Sequence, residues 1–286
     1  MPLKVAIYTL CLAHHTLEEA VEVAAELGYD GIEFTVGYPQ AKWDGKSQWH
    51  LSLSNLEADT RRAKEALYRT GLEPVCLSTR LGYKEVDDLR GVFRAAAEMG
   101  CPQVRVGTAN YKPEPGYWRL LKEAVEGWRE VERLAKEFKV KALAEIHMNR
   151  IIPSASAAFN FVKHFDSRFV GVIFDPGNMA VEGYENWRMG LDILGEYLAH
   201  IHVKNPAPVR GEEGWTWEWV PLDEGVVDWR EVIRGLLEVG YEGALSVEDF
   251  VRQIPGVDDP KRMERERARQ DLDFLKGLIS EGVTSG

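Results

Sequence analysis

The chain has 286 residues, 45% of them hydrophobic, which is enough to bury one large core without a second domain. Its formal net charge of -11 repels a phosphate backbone and argues against a nucleic-acid partner; the one basic tract, 261–269, is mixed with acids and reads as a helix face. Residues 1–10 carry neither a signal-peptide pattern nor a spanning stretch, so no membrane role and a cytoplasmic location are expected, and Cys11, Cys76 and Cys101, with no CxxC pair, read as reduced core thiols.

Apolar runs of strand length alternate with longer stretches of helical period from one end to the other. In chain order, a strand over 4–9 precedes a helix over 17–27, a strand over 31–35 a helix over 53–70, and a strand over 73–78 a helix over 85–99. The strand at 103–106 is followed by a helix at 117–138, that at 141–147 by 154–164, and that at 170–175 by 187–194. The last two units pair 200–204 with 229–239 and 244–248 with 260–279. Gly28, Gly71, Gly100 and Gly240 stand just past helix ends, where a left-handed cap favours glycine. The largest stretches outside this pattern, 37–52 and 206–227, both follow strands.

Repeated βα units specify a parallel sheet covered by helices, either closed into a barrel or open and doubly wound. No GxGxxG follows the first strand, and acidic and imidazole residues end strands spread over the second half of the chain, which favours closure. The expected fold is α/β, a (β/α)8 TIM barrel forming a single domain over 1–286.

Glu145, Asp175, His202 and Glu248 each close a strongly apolar run. One acid at a strand end is often a helix cap or an ion-pair partner, and Pro176 gives Asp175 the option of a purely structural turn. Three carboxylates around one cavity repel and are costly to desolvate, so a divalent cation is their natural counter-charge. Three carboxylates and an imidazole suit Mn2+, Mg2+, Co2+ or catalytic Zn2+. His200 shares a strand face with His202, which is preferred because it lies nearer the strand end.

At these residues the chain resembles the xylose-isomerase-like TIM-barrel family, which includes sugar isomerases, ketose 3-epimerases, inosose dehydratase and an endonuclease IV branch. The resemblance covers essentially the whole chain. It rests on a set: Glu145, the Asp-Pro-Gly-Asn run from Asp175, His-Val-Lys from His202, Leu-Asp-Glu-Gly-Val-Val-Asp-Trp from Leu222, and Val-Glu ending at Glu248. It implies one divalent metal ion held by Glu145, Asp175, His202 and Glu248, with the two glutamates as catalytic groups flanking a substrate carbon that loses and regains a proton. Several relatives carry a histidine where this chain has Asn178, and His14, His15 and His50 lie in loops, so a trinuclear zinc cluster is not expected. Arg210 is not at the offset of the arginine that epimerases of the family use.

Further residues complete the expected substrate site. Glu33 has inward parity at the end of its strand, where it either orients substrate or forms an ion pair with Lys204. Arg105 and Lys204 offer positive charge to a hydroxyl, an enolate or a phosphate, His147 a hydrogen bond or proton relay, and Asn178 a polar contact. Trp215, Trp217 and Trp219 share one face of an extended segment, with Trp217 the candidate sugar wall and a homodimer contact the alternative. Trp128, Trp187 and Trp229 read as packing residues, and Asp228 as a helix cap. The expected activity is metal-dependent isomerisation or epimerisation of a sugar or sugar phosphate. Dehydration of a cyclitol or sugar acid, a non-catalytic sugar-binding barrel and, last, an abasic-site nuclease are the alternatives.

Overall fold

The computed structural model describes residues 3–38, 49–250 and 257–284. Its strands are β1 (Lys4–Tyr8), β2 (Gly31–Gly37), β3 (Leu51–Ser52), β4 (Glu73–Gly82), β5 (Gln103–Gly107) and β6 (Lys141–Glu145). They continue with β7 (Val170–Phe174), β8 (Leu198–Val203), β9 (Asn205–Gly211), β10 (Gly214–Val220) and β11 (Ala244–Val247). The helices are α1 (Leu17–Leu27), α2 (Leu56–Thr70), α3 (Val86–Met99), α4 (Tyr117–Phe138) and α5 (Ala155–Val162). After them come α6 (Pro176–Val181), α7 (Trp187–Leu194), α8 (Trp229–Glu238) and α9 (Pro260–Thr284).

Eight parallel strands close into one barrel, in the ring order β1, β2, β4, β5, β6, β7, β8, β11. Closure is visible at Ile7, which faces Ile32 of β2 on one side and Val247 of β11 on the other. Strands buried on both faces need no polar alternation, and β7, Val-Gly-Val-Ile-Phe, is buried along its whole length. The main core lies between barrel and helices, where Trp128 of α4 packs edge-on against Phe161 of α5 at 5.3 Å and Trp229 of α8 is fully buried. Trp187 is buried as well, so Trp128, Trp187 and Trp229 are all packing residues, whereas Trp118 at the start of α4 is exposed. Cys76 joins Leu143, Ile173 and Ala199 in a small separate cluster, and the three thiols are free. The 261–269 tract is a helix face: Lys261 and Arg265 of α9 pair with Glu19 and Glu26 of α1.

The structure departs from the sequence reading in four local features. Strand β6 ends at Glu145 rather than at 147, because the chain turns back at once, with the Arg150 amide donating to the His147 carbonyl at 3.3 Å. Asp175 stands outside β7 as the N-cap of α6, a six-residue helix too short to show a period. The stretch 206–227 is not irregular: β9 and β10 pair antiparallel as a hairpin, with Pro206 opposite Trp219 and Pro208 opposite Trp217. Proline cannot donate to a ladder, so two prolines disguise the strand. Helix α2 starts at Leu56, after a 3-10 turn over Leu53–Asn55. Of the stretch 37–52, residues 39–48 lie outside the described residues.

Two sequence motifs receive a packing reason. A Cβ on Gly177 would come within 2.7 Å of the Lys204 side chain, so only glycine lets α6 lie this close to the end of β8. Asn205 donates to the carbonyls of Leu222 and Val227 and accepts from the Val227 amide, stapling the 222–227 loop to the start of β9, and a Cβ on Gly225 would strike its amide at 2.1 Å. Asn205→Ala removes three buried hydrogen bonds worth about 1 kcal/mol each. A loss of about 3 kcal/mol in unfolding free energy, read from the urea midpoint at unchanged slope, is expected.

Candidate active site

Side chains of one parity on each strand point into the barrel; Glu145, His202 and Glu248 lie toward the C-terminal mouth, with Glu33 and then His200 beneath them. The ligand atoms of Glu145, Asp175, His202 and Glu248 all lie within 4.8 Å of one another, and all four residues are buried. Oxygen and nitrogen donors about 2.1 Å from a common centre stand at most about 4.2 Å apart, so this set fits a divalent cation with small adjustments.

His202 is the hinge of the cluster. Its Nδ1 lies 2.9 Å from Glu145 and 3.4 Å from Glu248, while its Nε2 lies 3.1 Å from Glu33. The Tyr8 ring stacks on it at 5.9 Å. The second oxygen of Glu33 meets His200 Nε2 at 2.9 Å. Glu33 therefore pairs with the two imidazoles and not with Lys204, and it lies fully buried beneath the cluster instead of on the pocket wall. Lys204 instead joins Asp175, at 2.5 Å, to Glu248, and the Arg105 guanidinium is ion-paired with Glu145.

Asp175 is held from both sides. One of its oxygens accepts the Asn178 amide at 2.8 Å as a helix cap, and the other accepts the Asn178 side chain at 2.7 Å. Asn178 also donates to the Ile146 carbonyl and lines the pocket, so it fixes Asp175 from the wall. His14 and His15 both bond Glu264 of α9, and His50 is buried against Thr35, all apart from the carboxylate cluster.

Charge coupling dominates the proton affinities. Burial alone would raise the Glu33 carboxyl, but His202 and His200 overcome it and hold it well below the carboxylate range. Burial likewise opposes ionisation of Glu248, yet Lys204 and His202 draw its pKa down to about 2. Burial would lower the His202 imidazole, whereas Glu33 and Glu248 push it well above its ordinary value. An imidazole must be neutral at the atom that binds a cation, so if a cation binds at His202, uptake would release a proton and weaken as pH falls. Mn2+ affinity is expected to rise with pH by up to about tenfold per unit between about pH 6 and 8. Calorimetry in buffers of different ionisation enthalpy measures the proton released.

Of the four clustered residues, Glu248 lines a cavity of about 480 Å3, together with Lys204 and Asn178, which hold Asp175 behind that wall. Its walls include Arg80, Arg105, His147, Arg150, Trp219 and Phe250. The His147 Nδ1 lies 2.8 Å from the Met148 carbonyl, which makes Nδ1 the donor and leaves Nε2 as an acceptor when the ring is neutral. The aromatic wall is Trp219, not Trp217: the Lys204 ammonium sits 5.5 Å from both the Trp219 and Phe250 rings, while Trp217 is 40% exposed on the hairpin. Arg210 lies on β9, away from these walls. Tyr8, Arg80 and Arg150 escaped the sequence reading. Tyr8 carried a usable signal, as a polar-tipped residue of inward parity at the end of β1.

A closed parallel barrel with three carboxylates and an imidazole gathered at the C-terminal mouth defines an α/β barrel protein with a candidate metal centre. The chain belongs to the xylose isomerase-like TIM barrel family, whose model matches residues 21–278. It is 27% identical over 277 residues to a D-psicose 3-epimerase of Ruminiclostridium cellulolyticum, covering 87% of this chain and 78% of that one. Among crystal structures, the IOLI protein with a bound zinc atom superposes with TM-score 0.75 at 17% identity, covering 98% of this chain and 99% of the other. D-psicose 3-epimerase with D-tagatose from Clostridium cellulolyticum gives 0.72 at 18% identity, covering 97% and 99%. Among the described residues no helix is long and apolar enough to cross a membrane.

Proposed function

We propose that this protein is a sugar isomerase or epimerase that depends on one divalent metal ion, Mn2+, Co2+, Mg2+ or Zn2+, bound by Glu145, Asp175, His202 and Glu248. The convergence of these four donor atoms within 4.8 Å, with Glu248 lining a cavity of about 480 Å3, is the observation that carries the reading. When bound, the cation supplies Lewis acidity that polarises a carbonyl and its neighbouring hydroxyl. The curated relative that acts on D-psicose supports the substrate class, a small sugar.

Glu145 and Glu248 are the proton-transfer pair, one removing the proton alpha to the carbonyl and the other returning it. Arg105 holds one Glu145 oxygen in place, and Lys204 does the same for Glu248 and Asp175. Lys204 is also a cation beside the reacting carbons, placed to stabilise negative charge on an enediolate oxygen. Trp219 and Phe250 exclude water from that end of the pocket, and His147 offers Nε2 to a substrate hydroxyl. The charge of -11 disfavours nucleic acid as a partner, and three unbridged thiols, Cys11, Cys76 and Cys101, suit a cytoplasmic protein. Trp215 and Trp217, 71% and 40% exposed on the hairpin, favour a homodimer, which sedimentation velocity would detect.

The test is elemental analysis after chelation and re-addition of each cation, with Glu145→Ala as control, followed by NMR detection of solvent deuterium entering D-fructose or D-psicose. Near one equivalent of metal, lost in the control, with deuterium at the carbon alpha to the carbonyl, is expected. Metal binding without deuterium in any ketose would leave a sugar-binding barrel, and a product lacking water would mark a dehydratase.

A further inference from the structure

Two cations on the pocket wall are committed to the carboxylate cluster: Arg105 to Glu145, and Lys204 to Asp175 and Glu248. Arg150 is different. It ends the tight turn after β6, in which Asn149 takes a left-handed φ of 61°, and its backbone forms an antiparallel bridge with Asn110 of the loop after β5. Flanking amide bonds, Tyr111 to the Asn149 carbonyl at 3.0 Å and Ile151 to the Ala109 carbonyl at 3.1 Å, fix the two loops together. One guanidinium nitrogen of Arg150 donates to the Thr108 carbonyl at 2.9 Å, and among the described residues no carboxylate forms an ion pair with it.

The side chain is thus positioned, half-buried and, among the described residues, without a counter-ion. Burial, then the like charge of Arg105, then that of Arg80, press its pKa below the ordinary guanidinium value, with Glu145 opposing. Arg80 lines the same cavity with its guanidinium 5.4 Å from the Trp49 ring. A partly desolvated guanidinium on a wall that carries further positive charge costs free energy, and an anion from outside the chain offsets that cost at Arg150. A guanidinium with one nitrogen anchored still presents further N–H donors, the fork that carboxylates and phosphates accept.

We propose that the pocket selects an anionic sugar derivative, bearing a carboxylate or a phosphate, and that Arg150, with Arg80 beside it, binds that group while the sugar carbons lie over Glu145 and Glu248. The inference rests on the isomerase reading for the identity of the sugar end, but the anion subsite stands on Arg150 itself. A neutral ketose leaves the Arg150 charge uncompensated, so it is a poorer ligand.

Calorimetric titration of the Mn2+-loaded full-length protein with D-fructose, D-fructose 6-phosphate and D-fructuronate tests this, in wild type, Arg150→Met and Arg150→Lys. The better of the two anionic sugars is expected to bind at least about tenfold more tightly than D-fructose, the scale of one charge-assisted hydrogen bond. Their ranking identifies phosphate or carboxylate as the group bound. In Arg150→Met the anionic-to-neutral ratio falls to near one, which separates this subsite from direct contact of the anion with the metal. Arg150→Lys keeps charge without the fork and carries the test if the Met variant loses its circular dichroism; its ratio falls by at least about threefold.

Equal affinities for all three sugars, or a ratio that survives both substitutions, would overturn the inference. Deuterium exchange into neutral ketoses without anionic preference sinks this proposal and leaves the isomerase reading intact. An Arg150-dependent preference with no exchange into any of the three sugars does the reverse.

Discussion

Replacing Glu248 with glutamine is expected to lower solvent-deuterium incorporation into the substrate by about 10²- to 10⁴-fold, the usual contribution of a positioned acid or base. Glutamine keeps the shape and one carbonyl oxygen of Glu248 but cannot take up a proton at the reacting carbon. In the wild type Glu248 is ion-paired with Lys204 and lies 3.4 Å from His202, so its carboxylate is held ionised and aimed. The same substitution removes one charged donor from the cation site, so the assay is run at saturating Mn2+ with bound metal measured in parallel. A variant that fills with metal yet exchanges deuterium at the wild-type rate would remove Glu248 from the chemistry. Glu145→Gln is expected to match it in the direction of proton transfer that Glu145 serves, and comparing the two by starting from either epimer assigns which glutamate faces which side of the sugar.

Glu33→Ala should weaken Mn2+ binding by about 10- to 100-fold although Glu33 is outside the proposed ligand set. Glu33 accepts from His202 Nε2 at 3.1 Å, which leaves the Nδ1 lone pair on the side of Glu145 and Glu248, and from His200 at 2.9 Å, which holds the carboxylate itself in place. Without that acceptor the imidazole loses its fixed tautomer and orientation. The same change strips the partner from two fully buried histidines, and breaking a buried pair typically costs about 3–5 kcal/mol of stability. Glu33→Gln fills the volume and retains one acceptor, so it should recover part of both losses. Competition with a chromogenic chelator reads the affinity and urea unfolding reads the stability. Wild-type affinity in Glu33→Ala would show that Tyr8 and Glu145 orient His202 without help from Glu33.

The alternation of strands and helices, the closed barrel and the gathering of Glu145, Asp175, His202 and Glu248 at one set of strand ends were legible in the sequence. A charged or imidazole group at the end of a run such as Leu-Ala-Glu or His-Ile-His is costly unless the strand end faces a polar cavity, and strand parity says which side chains share that face. What parity cannot say is who meets whom across a barrel. It put Glu33 inside, but only the stagger of the strands decided that His200 and His202, and not Lys204, lie within reach of its oxygens. It grouped three tryptophans on one face of a segment, while the docking of the β9–β10 hairpin decided that Trp219 alone of them lines the pocket. Arg150 was invisible for a related reason. It lies in a turn, where no period fixes direction, and its place on the wall is set by the pairing of two loops that are 40 residues apart, Asn110 with Arg150. Local burial energetics write themselves into a sequence as pattern, whereas contacts between distant segments are fixed only when the barrel closes and its stagger brings their side chains within bonding distance.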